Sequence, residues 1–502
     1  MERNRRRWLR IAGIAGAVGT IGFSWGCELT PNPVTGRPEL ILMSQADERE
    51  IGEKHAKEVE GQMGLVQNPD LQAYVSALGA RLSRRSPRKG VDYRFQVLEM
   101  EGPNAFALPD GRIYVTRELL LLTNSEAELA NVLAHEIGHV AARHHAQRDA
   151  HRKTFGLSTL AGRIASGGTG DQKEFIGGID GTWAYSRNQE RQADSIGMEL
   201  ATNAGFRSEG MATFLRTLDR ASRLEAGYSM TQYYFSSHPA TPERIAEASS
   251  RAEVDRHSSR LRTSPVKNDA YIERFDGIAA QRPAAEGVFV KNRFLHADLG
   301  FSLRFPPGWE LVNQNAQVVG LSPRRDGLVM LQLAGEGDDP EALAREQAEE
   351  GDFELREAAP LRVAGRSAFR AQVSGFPTSF GPVNGSVTWV LFDGAVYRLV
   401  AGVDDGNPSR YAGVFRSFSR SLRPLQESER EEIGDLRVWV VSPLEGESLR
   451  ELSRRTNNEW KLGRTAVVNG RQIDDRLEPE ERIKVAVRRN YRDKEASATP
   501  PH

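Results

Sequence analysis

The chain has 502 residues, enough for roughly two to four domains with substantial cores. Its 67 lysines and arginines nearly balance 68 acidic residues, which leaves a formal net charge of −1. This balance argues against a nucleic-acid-binding protein, which would carry a basic surface.

Residues 1–27 are predicted to be a targeting segment and not part of the fold. A basic stretch up to Arg10 precedes an apolar run over 11–23 that is too short to span a bilayer. The arginines resemble a twin-arginine export signal, and an ordinary export signal with extra arginines fits equally well. Both alternatives predict export to the periplasm.

Cys27 directly follows the apolar run and is the only cysteine in the chain. A lone cysteine excludes an intramolecular disulfide. Its position resembles that of the lipid-modified cysteine of bacterial lipoproteins, which would attach the protein to the outer membrane. The alternative is a small residue near a signal cleavage site.

The next 230 or so residues, as far as 255, are predicted to be mainly helical with a small sheet. Residues 32–37 form a turn-rich tether. Helical patterns fill 44–85, and strands are predicted at 93–99 and 112–116. Further helices are predicted from Ser125 to about Arg148, from Ser186 to near Gly205, over 209–224 and within 236–253, with a loop at 166–181. Ser125 with Glu128 predicts a capping box at the start of the first of these.

The second half of the chain changes pattern. Residues 256–285 are charged and are predicted to be a connector, followed by an α/β domain over 286–425. Its strands are predicted at 299–305, 328–333, 367–373, 386–392 and 396–402, with a helix at 340–350. A small α+β module is predicted over 435–490, and a disordered tail over 491–502.

A metal-binding pattern lies on the predicted helix that begins after Ser125. His135 and His139 are four residues apart, so both imidazoles share one helical face and can hold one metal ion. Glu136 lies between them, where its carboxylate can activate a water molecule. The alternative is a coincidental pattern on a surface helix, and the cap and the apolar stripe of this helix argue against it.

A catalytic zinc site needs a third protein ligand, and Glu190 is the candidate. It begins the run Glu190-Arg191-Gln192-Ala193-Asp194 on the next capped helix. Asp194 shares its helical face and can hold a ligating histidine through the other ring nitrogen. Without the upstream histidines, Glu190 would be read as a solvated helix residue.

Together these motifs resemble the HtpX/BepA-like zinc peptidases, which are related to the CAAX prenyl proteases (peptidase family M48). The resemblance covers residues 30–255 and includes the strand near Asn104 and the pair His238-Pro239. It implies a zincin-type (gluzincin) domain over 28–255 with one Zn²⁺ per chain. The implied ligands are His135, His139 and Glu190, with Glu136 as the general base and Asp194 orienting His135.

The resemblance leaves the role of His238 open. The matching histidine of the periplasmic branch either fills the fourth zinc position as a self-inhibiting switch or assists the transition state, and a plain turn residue before proline is the third alternative. The other histidines near the metal helix, at 144, 145 and 151, are expected to face solvent. The strand near Asn104 is expected to bind substrate as an added strand.

The two later domains give weaker resemblances. The start of the α/β domain, from Leu299 to Trp309, resembles a PsbP-like sandwich, and residues 436–486 resemble a LysM module, whose family binds peptidoglycan. Pro479-Glu480-Glu481 stands where that family has a glycine, so a packing or partner role is an equal alternative.

The sequence thus favours a zinc endopeptidase of the bacterial envelope that acts on misfolded or misassembled proteins. Its membrane contact would be a lipid anchor only, and its later modules would contact peptidoglycan or an outer-membrane assembly partner. The alternatives are a non-enzymatic assembly factor or chaperone with a structural zinc, and a peptidoglycan-binding adaptor.

Overall fold

The computed structural model describes residues 29–149 apart from 42 and 101, residues 185–224 and 238–257, and residues 268–491 apart from 352, 379 and 405–407. The predicted targeting segment with Cys27, the loop at 166–181, His151 and the tail beyond Tyr491 lie outside these residues.

The first half of the chain is mainly helical, as predicted. Its elements are β1 (Leu29–Pro31), β2 (Pro38–Leu40), α1 (Gln45–Met63), α2 (Pro69–Ser83), β3 (Arg94–Leu98), β4 (Ala105–Ala107), β5 (Arg112–Thr116), α3 (Arg117–Leu122), α4 (Glu126–Ala141), α5 (Arg187–Asn203), α6 (Glu209–Leu224), α7 (Pro242–His257) and α8 (Asn268–Ile272). Strands β1 and β2 pair as a hairpin, so the predicted tether is a folded turn, with Asn32 buried against the end of α4.

A small sheet separates two layers of helices. Strand β5 is central and pairs in parallel with β3 and antiparallel with β4, which forms one edge. Side chains of β5 alternate between the faces. Ile113 and Val115 join the core that contains α2 and α4, whereas Tyr114 packs with Ala56 and Val59 of α1.

Helices α4 and α5 cross at close range, which places Glu190 opposite the two histidines. A Cβ atom on Gly197 would lie 2.8 Å from the backbone nitrogen of His135, and one on Gly138 would lie 3.0 Å from the carbonyl oxygen of Ala193. Glycine at both positions therefore permits an approach that a larger residue would block.

Residues 288–430 form a two-sheet β-sandwich with short helices. Its elements are β6 (Val288–Val290), β7 (Arg293–His296), β8 (Phe301–Arg304), β9 (Glu310–Asn313), β10 (Gln317–Leu321), β11 (Gly327–Glu336), α9 (Pro340–Glu350), β12 (Arg356–Val363), β13 (Arg366–Phe376), β14 (Val383–Phe392), β15 (Ala395–Val403), α10 (Ala412–Ser419), β16 (Arg423–Pro424) and α11 (Glu427–Arg430). The larger sheet has the order β12-β13-β14-β15-β11-β10-β9, and the smaller has the order β16-β8-β7-β6. All five predicted strands and the predicted helix are present, together with strands that the sequence did not reveal.

The last module has strand–helix–helix–strand order: β17 (Gly434–Val441), α12 (Leu449–Arg455), α13 (Leu462–Val468) and β18 (Ile483–Asn490). The two strands pair antiparallel. On one face, Trp439 and Val485 pack on the module's own helices. On the other face, Val438 and Ala486 join the core of the amino-terminal domain.

Residues 271–280 of the segment predicted as a connector instead belong to that core. Tyr271 and Phe275 are buried in it, and residues 277–280 pair with β17. The nitrogen of Gly277 donates to the oxygen of Val438 over 2.8 Å, and the nitrogen of Ala280 donates to the oxygen of Leu436 over 2.7 Å. The chain therefore leaves this unit at Ala280 and returns beside it at β17, so the β-sandwich is an insertion.

Within the described part of the chain, no helix is both long enough and apolar enough to cross a bilayer.

Candidate metal centre

Both helices that carry the predicted ligands begin at capped serines. Ser125 accepts a hydrogen bond from the nitrogen of Glu128 over 3.1 Å, but the Glu128 carboxylate accepts from the nitrogen of Asn124 and not from that of Ser125. The predicted capping box of α4 is therefore only half formed. Ser186 and Gln189 form the complete box at the start of α5.

Four buried side chains converge between α4, α5 and the turn before α7: His135, His139, Glu190 and His238. The Nε2 atoms of His135 and His139 are 3.0 Å apart. Nδ1 of His238 lies 3.2 Å from Nε2 of His135 and 2.9 Å from Oε1 of Glu190. Oε1 of Glu190 is 3.3 Å from Nε2 of His139.

This donor set fits one zinc ion. Ligand atoms about 2.0 Å from a tetrahedral zinc stand about 3.3 Å from one another. In this cluster, four donor pairs are 2.9–3.3 Å apart, and all four donor atoms lie within 4.8 Å of one another. Three imidazole nitrogens and one carboxylate oxygen are also donors that zinc accepts. The sequence-predicted ligands are thus brought together, and His238 stands at the fourth corner.

Asp194 contacts His135 and Arg244 contacts Glu190, so these two charged side chains support two of the four possible donors. Oδ1 of Asp194 lies 2.9 Å from Nδ1 of His135, the position predicted for it. Arg244 forms two 2.7 Å hydrogen bonds to Asp194 and lies 2.7 Å from Oε2 of Glu190. Arg244 therefore engages the oxygen of Glu190 that faces away from His139 and His238, a role that the sequence did not reveal.

The ionisation of these carboxylates follows from their neighbours. Burial alone would raise the pKa of Glu190, but attraction to His238 and His139 outweighs it and holds the pKa well below its usual range. Burial also opposes ionisation of Asp194, and Arg244 reverses the effect, so that its pKa is lowered. Both side chains are consequently anionic, as a metal ligand and its support need to be.

The histidines at 144 and 145 do not face solvent, contrary to expectation. Helix α4 ends at Ala141, and Arg143 adopts a left-handed backbone with φ of 55°. This break turns His144 inward, so that its Nδ1 lies 2.9 Å from Nδ1 of His139. Burial lowers the pKa of His144 to about 4, which keeps it neutral. The expected uninterrupted helix to Arg148 would have pointed both histidines elsewhere.

Tyr185 covers the other side of His139. Their rings stack with centroids 3.8 Å apart and planes 23° apart. The Tyr185 hydroxyl lies 2.7 Å from Nε2 of His145, which is buried as well. Tyr185 directly precedes Ser186 in the sequence, and no sequence pattern indicates this contact.

Glu136 is fully buried beside the four donors. Within the described residues, neither of its carboxylate oxygens has a hydrogen-bond partner, and the nearest ion-pair atom is Nε2 of His238 at 3.8 Å. Burial raises the pKa of Glu136. Its carboxylate is thus available to take up a proton next to the cluster.

Residues 67–252 match the model of peptidase family M48. A β-barrel assembly-enhancing protease of Yersinia pestis is 27% identical over 249 residues, which are 48% of this chain and 50% of that protein. The mitochondrial metalloendopeptidase OMA1 of Schizosaccharomyces pombe is 28% identical over 244 residues, 48% of this chain and 70% of that protein.

This chain thus spans about half the length of the β-barrel assembly-enhancing proteases that it matches. Among solved structures, that of cyanobacterial PsbP from Synechocystis covers 28% of this chain and 95% of its own, at 13% identity and a TM-score of 0.23. The similarity to the model of peptidase family M48 covers residues 67–252, which include all four donors of the cluster. M48 peptidases depend on zinc, and one cluster of buried side chains in the described residues could bind it.

Proposed function

We propose that this protein is a zinc-dependent endopeptidase of the bacterial cell envelope that cleaves misfolded or misassembled proteins. The observation that carries the proposal is the buried carboxylate of Glu136, which lies beside the four possible metal donors and has no hydrogen-bond partner among the described residues. Burial of a carboxylate without partners costs several kcal/mol of stability. A structural zinc site has no use for such a group, whereas a hydrolytic site needs a base at this position.

Each residue of the cluster would then have a separate role in hydrolysis. His135, His139 and Glu190 would hold the zinc, which when bound supplies Lewis-acid polarisation of water and of the scissile carbonyl. Glu136 would accept a proton from the attacking water and return it to the nitrogen of the leaving amine. Asp194 and Arg244 would keep His135 and Glu190 oriented.

Substrate would bind as an extended strand beside β4. This strand lies at the edge of the sheet and packs against α4, so an added strand would pass close to the metal centre. Pairing through the main chain accepts many sequences, which suits the removal of unfolded proteins. The names of the relatives, which refer to β-barrel assembly, support envelope proteins as the substrate class.

The competing function is a non-enzymatic assembly factor or chaperone with a structural zinc. Casein digestion by the purified protein, with and without a zinc chelator, separates the two. We expect digestion that stops on chelation and returns when zinc is restored. A zinc-loaded, folded protein that leaves casein intact at high enzyme concentration, both as the natural chain and as the His238→Ala variant, would support the assembly factor.

The later domains would shape access to this site. We propose a PsbP-like sandwich over 286–425 and a LysM-like module over 435–490, whose strand–helix–helix–strand order supports the second assignment. One face of that module is buried in the amino-terminal core, which supports a packing role. The third candidate function is a peptidoglycan-binding adaptor. In that case the purified protein would sediment together with purified peptidoglycan.

Location in the envelope rests on the sequence before residue 28. We propose export and attachment to the outer membrane through a lipid on Cys27. Fractionation of the Cys27→Ala variant tests the anchor, since the protein should move from membranes to the soluble fraction. An unchanged distribution would remove the anchor from the proposal and leave the peptidase intact.

We propose further that His238 keeps the enzyme latent by occupying the fourth corner of the donor set. Its Nδ1 stands where water and substrate would have to bind. The His238→Ala variant should therefore show several-fold higher basal casein digestion, measured as the initial rate at equal zinc content.

The rival role for His238, stabilisation of the transition state, gives the opposite sign. A lower rate in His238→Ala would favour it, and an unchanged rate would make His238 a turn residue. His296→Ala, which removes a histidine from β7 of the sandwich, is the matched control and should leave the rate unaltered.

A further inference from the structure

The turn at Arg143, where α4 ends, is stabilised by contacts with Met43 and Glu48 near the start of the domain. Arg143 has a left-handed backbone, which a residue with a side chain adopts at a cost. Its guanidinium donates to Oε1 of Glu48 over 3.1 Å and to the carbonyl oxygen of Met43 over 2.7 Å. Both partners belong to α1 or the residues just before it, so the amino-terminal helix supports the turn that directs His144 towards His139.

The direction of the hydrogen bonds in this region follows from the ring of His139. Its Nε2 faces the other metal donors and must be free of a proton to bind metal. The neutral ring then carries its proton on Nδ1 and donates to Nδ1 of His144. His144 must in turn carry its proton on Nε2, where Oε1 of Gln192 accepts over 3.0 Å.

We propose that His144 and Gln192 are positioning residues that fix the tautomer and the ring orientation of His139 for zinc. They do for His139 what Asp194 does for His135, but the final acceptor is a neutral amide oxygen in place of a carboxylate. The inference rests on the zinc site of the proposed function. It assigns a function to Gln192 inside the run from Glu190 to Asp194.

Zinc affinity tests the proposal without recourse to activity. Gln192→Leu removes the acceptor from a half-buried helix position where leucine fits, and His144→Phe removes the acceptor of His139. Loss of such a partner weakens zinc binding about 10- to 100-fold. We expect that loss in both variants, measured by competition with a chromophoric chelator. Gln192→Glu keeps the acceptor and should bind zinc at least as tightly as the natural protein.

The double variant distinguishes this role from a general loss of packing. Because Gln192 acts only through His144, the variant with both changes should bind zinc no more weakly than His144→Phe alone. Additive losses, or wild-type affinity in Gln192→Leu, would overturn the proposal. If His144→Phe does not fold, as judged by thermal unfolding of the zinc-free protein, Gln192→Leu and Gln192→Glu decide.

The His139→Ala variant separates failure of this inference from failure of the zinc site. Weak binding by His139→Ala together with unchanged binding by Gln192→Leu would reject only the positioning role. Unchanged binding by His139→Ala would reject the site itself, and with it the proposed function.

Discussion

Replacement of Glu136 by glutamine should abolish casein digestion while zinc stays bound. The change keeps the size of the side chain and removes only its ability to take up and return a proton. Positioned proton transfer contributes about 10²- to 10⁴-fold to a rate, and the attacking water also loses its activating base. We therefore expect a rate reduced by at least this factor, with about one zinc per chain by elemental analysis.

The same variant should be more stable than the natural protein. Glu136 buries a carboxylate whose oxygens have no hydrogen-bond partner among the described residues, and an uncharged amide is less costly to bury. The zinc-free Glu136→Gln protein should unfold at a higher temperature. Glu126→Gln, at a half-buried position in the first turn of the same helix, is the control and should retain activity. Turnover by Glu136→Gln at the natural rate would exclude the mechanism.

Removal of the last module should destroy the peptidase domain, whereas removal of the sandwich should not. The module contributes Val438, Trp460 and Val467 to the amino-terminal core. Each large buried side chain contributes about 2–5 kcal/mol, and a whole domain is stable by only about 5–15 kcal/mol. A chain that ends at Ile433 should therefore be insoluble or show no cooperative unfolding transition.

The matched variant replaces residues 281–433 by a short hairpin turn. Residues 277–280 and β17 are antiparallel neighbours, so a tight turn can join them without disturbing the core. This shortened protein should unfold cooperatively and bind one zinc. If it fails to fold while the chain ending at Ile433 folds, the insertion architecture is wrong.

The local part of the site could be predicted from sequence because helical spacing and caps act over a few residues. Four-residue spacing put His135 with His139, and the box at Ser186 placed the start of α5 near Glu190. These signals need no knowledge of the rest of the chain.

Features set by distant contacts could not be predicted. The break at Arg143 carries no glycine and depends on Glu48, which lies 95 positions earlier. The pairing of 277–280 with β17 joins segments about 160 positions apart. The sequence around 277–280 is charged, which is typical of a linker. The burial of Lys484 could not be predicted either, because its partners, the carbonyls of Leu121 and Thr123, are distant in sequence.

That lysine links the start of α4 to the last strand of the final module. The carbonyls of Leu121 and Thr123 end α3 and lead into α4, and their donor arrives only with β18. A ribosome or an export channel delivers the amino-terminal end first, so the helix bearing His135 and His139 emerges well before its support. A nascent chain therefore cannot form these two hydrogen bonds next to the start of α4 until β18 has emerged.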